Sequence, residues 1–202
     1  MKTQILTIFT ALVLVTGIAN TTHAAAAKKD DVTVLTDVSD INKIEVRGNV
    51  ELYLSDGSAD QVKVYNKYYS ESAVVKSRNG VLSITSYNAE KLMVWVTAAD
   101  LRSVSAYDNA EVKSFGDLSK IEFEVDLHNS ATADLSIDAY AATINVNDQA
   151  KASFSGRTNE LALKYNNPQN VNFEDFETVH SSKTLKATTA AVKADADDLA
   201  NL

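Results

Sequence analysis

Val104-Ser105-Ala106-Tyr107-Asp108-Asn109-Ala110-Glu111-Val112 is the stretch that decides the fold, because the chain repeats its pattern twice. From Val125 it reads Val-Asp-Leu, then His128-Asn129-Ser130, then Ala-Thr-Ala. From Ile144 it reads Ile-Asn-Val, Asn147-Asp148-Gln149, Ala-Lys-Ala. Each copy sets short alternating segments on both sides of a polar triplet. A strand running straight through would point Asp108, Asn129 and Asp148 into the core. Burying an unpaired amide or carboxylate there costs roughly 1–3 kcal/mol. A corner avoids that cost, since Asn and Asp bond to their own backbone and tolerate left-handed conformations. The triplets are therefore expected to be corners. The alanines that follow (Ala110, Ala131 and Ala150) mark places where neighbouring layers approach closely, and they lie 21 and 19 residues apart. A period near twenty predicts stacked coils.

Outward from this core the same grammar continues. Ile44-Glu-Val, Arg47-Gly48-Asn49, Val-Glu-Leu fits the template, and a degenerate copy runs from Leu161 to Phe173 around Asn166-Asn167-Pro168-Gln169-Asn170. Ile44, Val46, Val50, Leu52 and Leu54 share one parity; so do Val62 and Val64, Leu82 and Ile84, and Leu92, Val94 and Val96. Ile121, Phe123, Val125 and Leu127 alternate likewise, as do Leu161, Leu163 and Tyr165. Period two is the signature of half-buried strands. A single proline leaves the ladders nearly uninterrupted. Asn79-Gly80 predicts a tight hairpin between Val74-Val75 and Val81–Ile84, and Asp56-Gly57 predicts a longer one between Leu52–Leu54 and Val62–Val64. The expected fold is all-β: a right-handed parallel β-solenoid with coils of roughly 20 residues and N-terminal hairpins. An up-and-down barrel or a sandwich satisfies period two equally.

The two ends read differently. Lys2, the apolar run Ile5–Ala19, and Thr22 and Ala24 at the −3 and −1 positions predict a secretory signal peptide over 1–24. The apolar run is short for a membrane span. The domain expected outside the cytoplasm covers 32–176. The segment 183–202 is rich in Ala, Lys and Asp; Leu185, Val192 and Leu199 recur every seven residues, which fits a short capping helix or a tail.

Composition narrows the function. Without Lys2 the chain carries 18 basic against 27 acidic residues, a formal charge of −9. Such a surface repels phosphate backbones, so nucleic acid is not an expected partner. The absence of cysteine excludes disulfides, a thiolate metal site, a cysteine nucleophile and a lipid-modified cysteine. His128 and His180 have no second histidine at ligand spacing, no Gly-x-Ser-x-Gly elbow occurs, and no glycine-rich phosphate loop is present. Neither metal nor cofactor nor catalytic residue is expected. Among the carboxylates, Asp108, Asp134 and Asp138 form no acid–base motif. Glu122, Glu124 and Asp126 alternate with apolar residues and so belong to one solvated face. A catalytic pair would need one carboxyl with a raised pKa. Tyr53, between inward Leu52 and Leu54, and Trp95, between inward Val94 and Val96, point outward. They are the candidate binding residues, able to stack on a sugar or anchor a protein. A structural role for Trp95 under a hairpin, with Tyr65, Tyr68 and Tyr69 covering it, is the alternative.

At Val46-Arg47-Gly48-Asn49-Val50-Glu51-Leu52, followed by Asp56-Gly57, Val62-Lys63-Val64 and Asn79-Gly80, the chain resembles the head GIN domain family, described as putative auto-transporter adhesins. The resemblance runs from about Val32 to Phe176. It lies in the ordered strands and turns, because the namesake tripeptide here reads Gly48-Asn49-Val50. It implies a β-solenoid exported by Gram-negative bacteria. The expected function is a non-enzymatic adhesion or binding scaffold in the periplasm, on the surface or secreted. Its expected partner is a polysaccharide or a cell-surface protein. A carbohydrate-active enzyme and a purely structural envelope protein are the alternatives.

Overall fold

The computed structural model describes residues 32–35, 38–65 and 73–186. The signal-peptide segment 1–24, Tyr68, Tyr69 and residues 187–202 of the C-terminal segment lie outside the described residues. Among the described residues thirteen strands follow one another: β1 Val32–Leu35, β2 Lys43–Gly48, β3 Val50–Asp56, β4 Gln61–Tyr65, β5 Ala73–Arg78, β6 Val81–Ser86 and β7 Leu92–Ala98. Then come β8 Ser103–Tyr107, β9 Glu111–Ser114, β10 Leu118–Leu127, β11 Thr132–Val146, β12 Lys151–Tyr165 and β13 Val171–Leu185. The last strand runs through the first residues of the segment 183–202. A single turn of 3₁₀ helix at Pro168–Asn170 lies in the degenerate copy, opened by Asn167, whose side chain accepts the N–H of Gln169.

The polar triplets are corners. Asp108, Asn129 and Asp148 adopt φ of 61°, 57° and 56°, the left-handed region that Asn and Asp tolerate. The N–H groups of Ala110, Ala131 and Ala150 close each turn on the carbonyls of Tyr107, His128 and Asn147. All three alanines are fully buried. The repeat spacing also appears as strand register: Val125 lies opposite both Val104 and Ile144, and Ile144 opposite Leu163. Apolar residues on the inner side of these strands form one continuous core, from Ile44, Leu82 and Leu92 through Val125 and Leu127 to Phe154 and Phe176.

The architecture is nevertheless not a right-handed parallel β-solenoid, and that expectation is corrected. The strands form a single sheet curled through 298° into a half-barrel with mixed strand orientation. β1 with β4, β4 with β7, and β5 with β6 are antiparallel, while the remaining pairings are parallel. Period two records which face of a strand is buried and is silent about the direction of its neighbour. The Asn79-Gly80 turn joins β5 and β6 as an antiparallel hairpin, with both residues at positive φ. The hairpin expected at Asp56-Gly57 does not form, because β7 separates β3 from β4 in the sheet. One apolar residue also departs from its expected parity. Ile121 is 80% exposed, although Phe123, Val125 and Leu127 are buried.

Candidate binding face

The outer side of β4, β7, β3 and β9 carries the residues singled out by parity. Cross-strand register aligns Lys63, Trp95, Tyr53 and Lys113 in one row, and Tyr65, Met93, Glu51 and Glu111 in the next. Tyr53 and Trp95 thus occupy adjacent positions on neighbouring strands, with ring centroids 5.3 Å apart and planes 16° from parallel. Each ring covers one face of the other. Phe115 approaches Trp95 at 5.2 Å with a 57° tilt. It is 66% exposed, whereas Tyr53 and Trp95 are half-buried. Sequence reasoning missed Phe115, which follows the last residue of β9. Its N–H donates to the carbonyl of Leu54, and no alternation marks its side.

Polar contacts fix the rings in place. Trp95 Nε1 donates to Ser55 Oγ at 3.3 Å, and Ser55 Oγ lies 2.9 Å from Thr97 Oγ1. The Tyr53 hydroxyl donates to Glu51 Oε1 at 2.8 Å. Lys113 Nζ bridges Glu51 and Glu111 at 2.8 Å each, and Lys91 Nζ meets the other oxygen of Glu111 at 2.8 Å. Hydrogen bonding to Lys113 holds the Glu51 carboxyl below its usual range, and Lys113 with Lys91 does the same for Glu111. The two glutamates in turn push the Lys113 ammonium above its ordinary value, and Glu51 raises the Tyr53 hydroxyl. A general acid needs the opposite shift in its carboxyl. Exposed Met93, Val32 and Val34 extend the apolar area across β7 and β1.

The other candidates are dispersed. His128 stacks on Tyr107 with centroids 4.8 Å apart, and its Nε2 lies 2.9 Å from Asp126. The Arg47 guanidinium lies over the Tyr107 ring at 3.7 Å. His180 pairs across from Glu160 on an exposed strand. Asp108 accepts from the Tyr87 hydroxyl, Asp138 binds Arg157, and Glu122, Glu124 and Asp134 face solvent. Among the described residues no three His, Asp or Glu side chains converge as metal ligands. No helix among them is long and apolar enough to cross a membrane.

Comparison with known proteins bears on the same fold. No curated protein is significantly similar to the chain. A crystal structure described as a putative adhesin from Bacteroides fragilis superposes with a TM-score of 0.66 at 11% identity, over 76% of each chain. A putative adhesin from Parabacteroides distasonis gives 0.53 at 14% identity, over 78% of this chain and 79% of that one. A putative lipid-binding protein from the same organism gives 0.53 at 11% identity, over 77% and 78%. At such identities the likeness is one of fold. The family described as putative auto-transporter adhesin, head GIN domain, matches residues 40–200. The chain belongs to that family.

Proposed function

We propose that this chain is an exported, non-enzymatic binding scaffold, and that its outward face at Tyr53, Trp95 and Phe115 contacts a polysaccharide or protein partner. The observation that carries this reading is the three-ring cluster on an open sheet face. Aromatic groups in such positions supply large contact area at low entropic cost. Membership of an adhesin-like family supports a binding role, and the leader-like segment 1–24 supports export.

A glycan array and an array of cell-surface proteins, both probed with the chain lacking residues 1–24, test the reading. At least one specific hit is expected. Trp95→Ala and Phe115→Ala should each weaken that hit about tenfold, as loss of an anchoring aromatic does, while leaving the fold intact by circular dichroism. Full binding by both variants would exclude this face. New reducing ends or unsaturated products from polymeric sugars would exclude a purely binding role.

A further inference from the structure

The buried positions of the long strands change parity halfway along. In β11, Ala133, Leu135, Ile137 and Ala139 are buried at odd numbers, then Ala142, Ile144 and Val146 at even ones. In β12, Phe154 and Thr158 give way to Leu161 and Leu163; in β10, Leu118 gives way to Phe123. A strand whose inward side switches parity without leaving the sheet has turned a corner, and one residue is left on its outside. Those residues are Ile121, Tyr140, Asn159 and Val179. Register brackets them on both sides: Lys120, Ala139, Thr158 and Thr178 align before the corner, and Glu122, Ala141, Glu160 and His180 after it. The Thr158 hydroxyl closes the bend, 3.3 Å from the carbonyl of Tyr140 and 3.1 Å from that of Glu160.

The corner residues therefore stand in a column across four adjacent strands. Ile121 is 80% exposed, Tyr140 59% and Val179 73%. At a strand spacing of about 4.8 Å the ridge is about 14 Å long. Three of the four are large apolar side chains, and the exposed Asn159 stands between Tyr140 and Val179. Beside the ridge runs a shallow trough, with depressions of about 610 Å³ and 330 Å³ that meet at Ala141 and Thr143. Glu122, Glu124 and Glu160 project along it and form no ion pair among the described residues. The neighbouring cations are already engaged: Arg102 with Asp100 at 2.6 Å, Lys43 with Glu45 at 2.9 Å and Arg157 with Asp138 at 2.8 Å.

We propose that this ridge and trough dock a basic amphipathic helix of a partner protein, its apolar stripe against Ile121, Tyr140 and Val179 and its lysines or arginines against Glu122, Glu124 and Glu160. An apolar stripe over nine or ten helical residues spans about 14 Å at 1.5 Å per residue. The unpaired carboxylates select a cationic flank and exclude an acidic one. The surface lies on other strands than Tyr53 and Trp95, so its failure and the failure of the aromatic face are separable.

A synthetic helical peptide of about 14 residues, leucines along one side and lysines on the flanks, serves as the probe in fluorescence anisotropy with the chain lacking residues 1–24. Saturable binding that weakens at high salt is expected. The pair Ile121→Ser with Tyr140→Ser should weaken it about tenfold, and so should Glu122→Gln with Glu160→Gln. Unchanged melting curves would show that the fold is intact. Absence of binding, equal binding of a leucine–glutamate peptide, or full binding by both double variants would each overturn the proposal.

Discussion

Asn129 shows how one residue, through its side-chain oxygen and its backbone N–H, ties its corner to the corners on both sides. It takes φ of 57° at its own corner, its Oδ1 accepts the N–H of Asp108 at 3.2 Å, and its N–H donates to Asp148 Oδ2 at 2.9 Å. Asn129→Ala loses the acceptor and forces an alanine into the left-handed region, a combined loss of about 2 kcal/mol. Asn129→Gly removes only the acceptor and should recover about half of that loss. Urea denaturation of the three proteins checks this; equal midpoints for the two variants would contradict it. The frame around Lys113 yields a pH dependence. Glu51 and Glu111 are both lowered from 4.5, so their contribution is complete above that pH and disappears as the pH falls through the depressed folded values. Lys113→Met removes the main cause of both shifts. Its melting temperature should therefore fall less than the wild-type value on acidification below pH 4.5. Parallel acid profiles would contradict this. The corner asparagines and aspartates were legible in the sequence because their conformational preference is local. The ion-pair frame was not, since Glu51 and Lys113 lie 62 residues apart.

At the level of elements, tight approach is what the small residues serve. Ala131 is fully buried behind its corner, so Ala131→Leu overpacks it and should cost roughly 1–3 kcal/mol. Gly156 and Gly116 make a sharper contrast. Gly156 has φ of 100°, and a Cβ there would lie 2.3 Å from the carbonyl oxygen of Ile137 on β11. Gly116 has φ of 78° with nothing within 4 Å. Gly116→Ala should thus cost about 1 kcal/mol from backbone conformation alone, and Gly156→Ala about 2–4 kcal/mol because a clash is added. Thermal melts of the pair decide it, and equal losses would show that β11 yields. Strand existence was legible here, whereas corners inside strands were not. Ile121 shares the parity of Phe123, and only the bend between them turns it outward.

Among the described residues, the inner row of the sheet ends on a charge at its last strand. Leu82, Ile44, Val104, Val125, Ile144 and Leu163 align across the sheet on its inner side, and the next position in that row is Lys183. Its ammonium lies 3.8 Å from the centroid of the Phe173 ring. Among the described residues β13 pairs only with β12. An inward-pointing charge on such a strand discourages addition of another chain. Lys183→Leu would continue the apolar row onto β13. It should shift the protein toward larger species in sedimentation or light scattering. A variant no more associated than wild type would show that other features protect the edge.

By itself the sequence determined which side of most strands faces the core, where Asp108, Asn129 and Asp148 turn the chain, and that Asn79-Gly80 closes a hairpin. Each is a local property, set by alternation between water and core or by the φ that a residue tolerates. It also placed Tyr53 and Trp95 on an outer face, through their apolar neighbours Leu52, Leu54, Val94 and Val96. Only the tertiary structure decided the rest. It set β7 between β3 and β4 and mixed the strand directions, and the sheet curled into a half-barrel. It also brought Phe115 to Trp95, and Ile121, Tyr140 and Val179 into one column. These outcomes depend on which distant strand supplies the next ladder of hydrogen bonds. Period two is the same whichever neighbour is chosen and whichever way it runs.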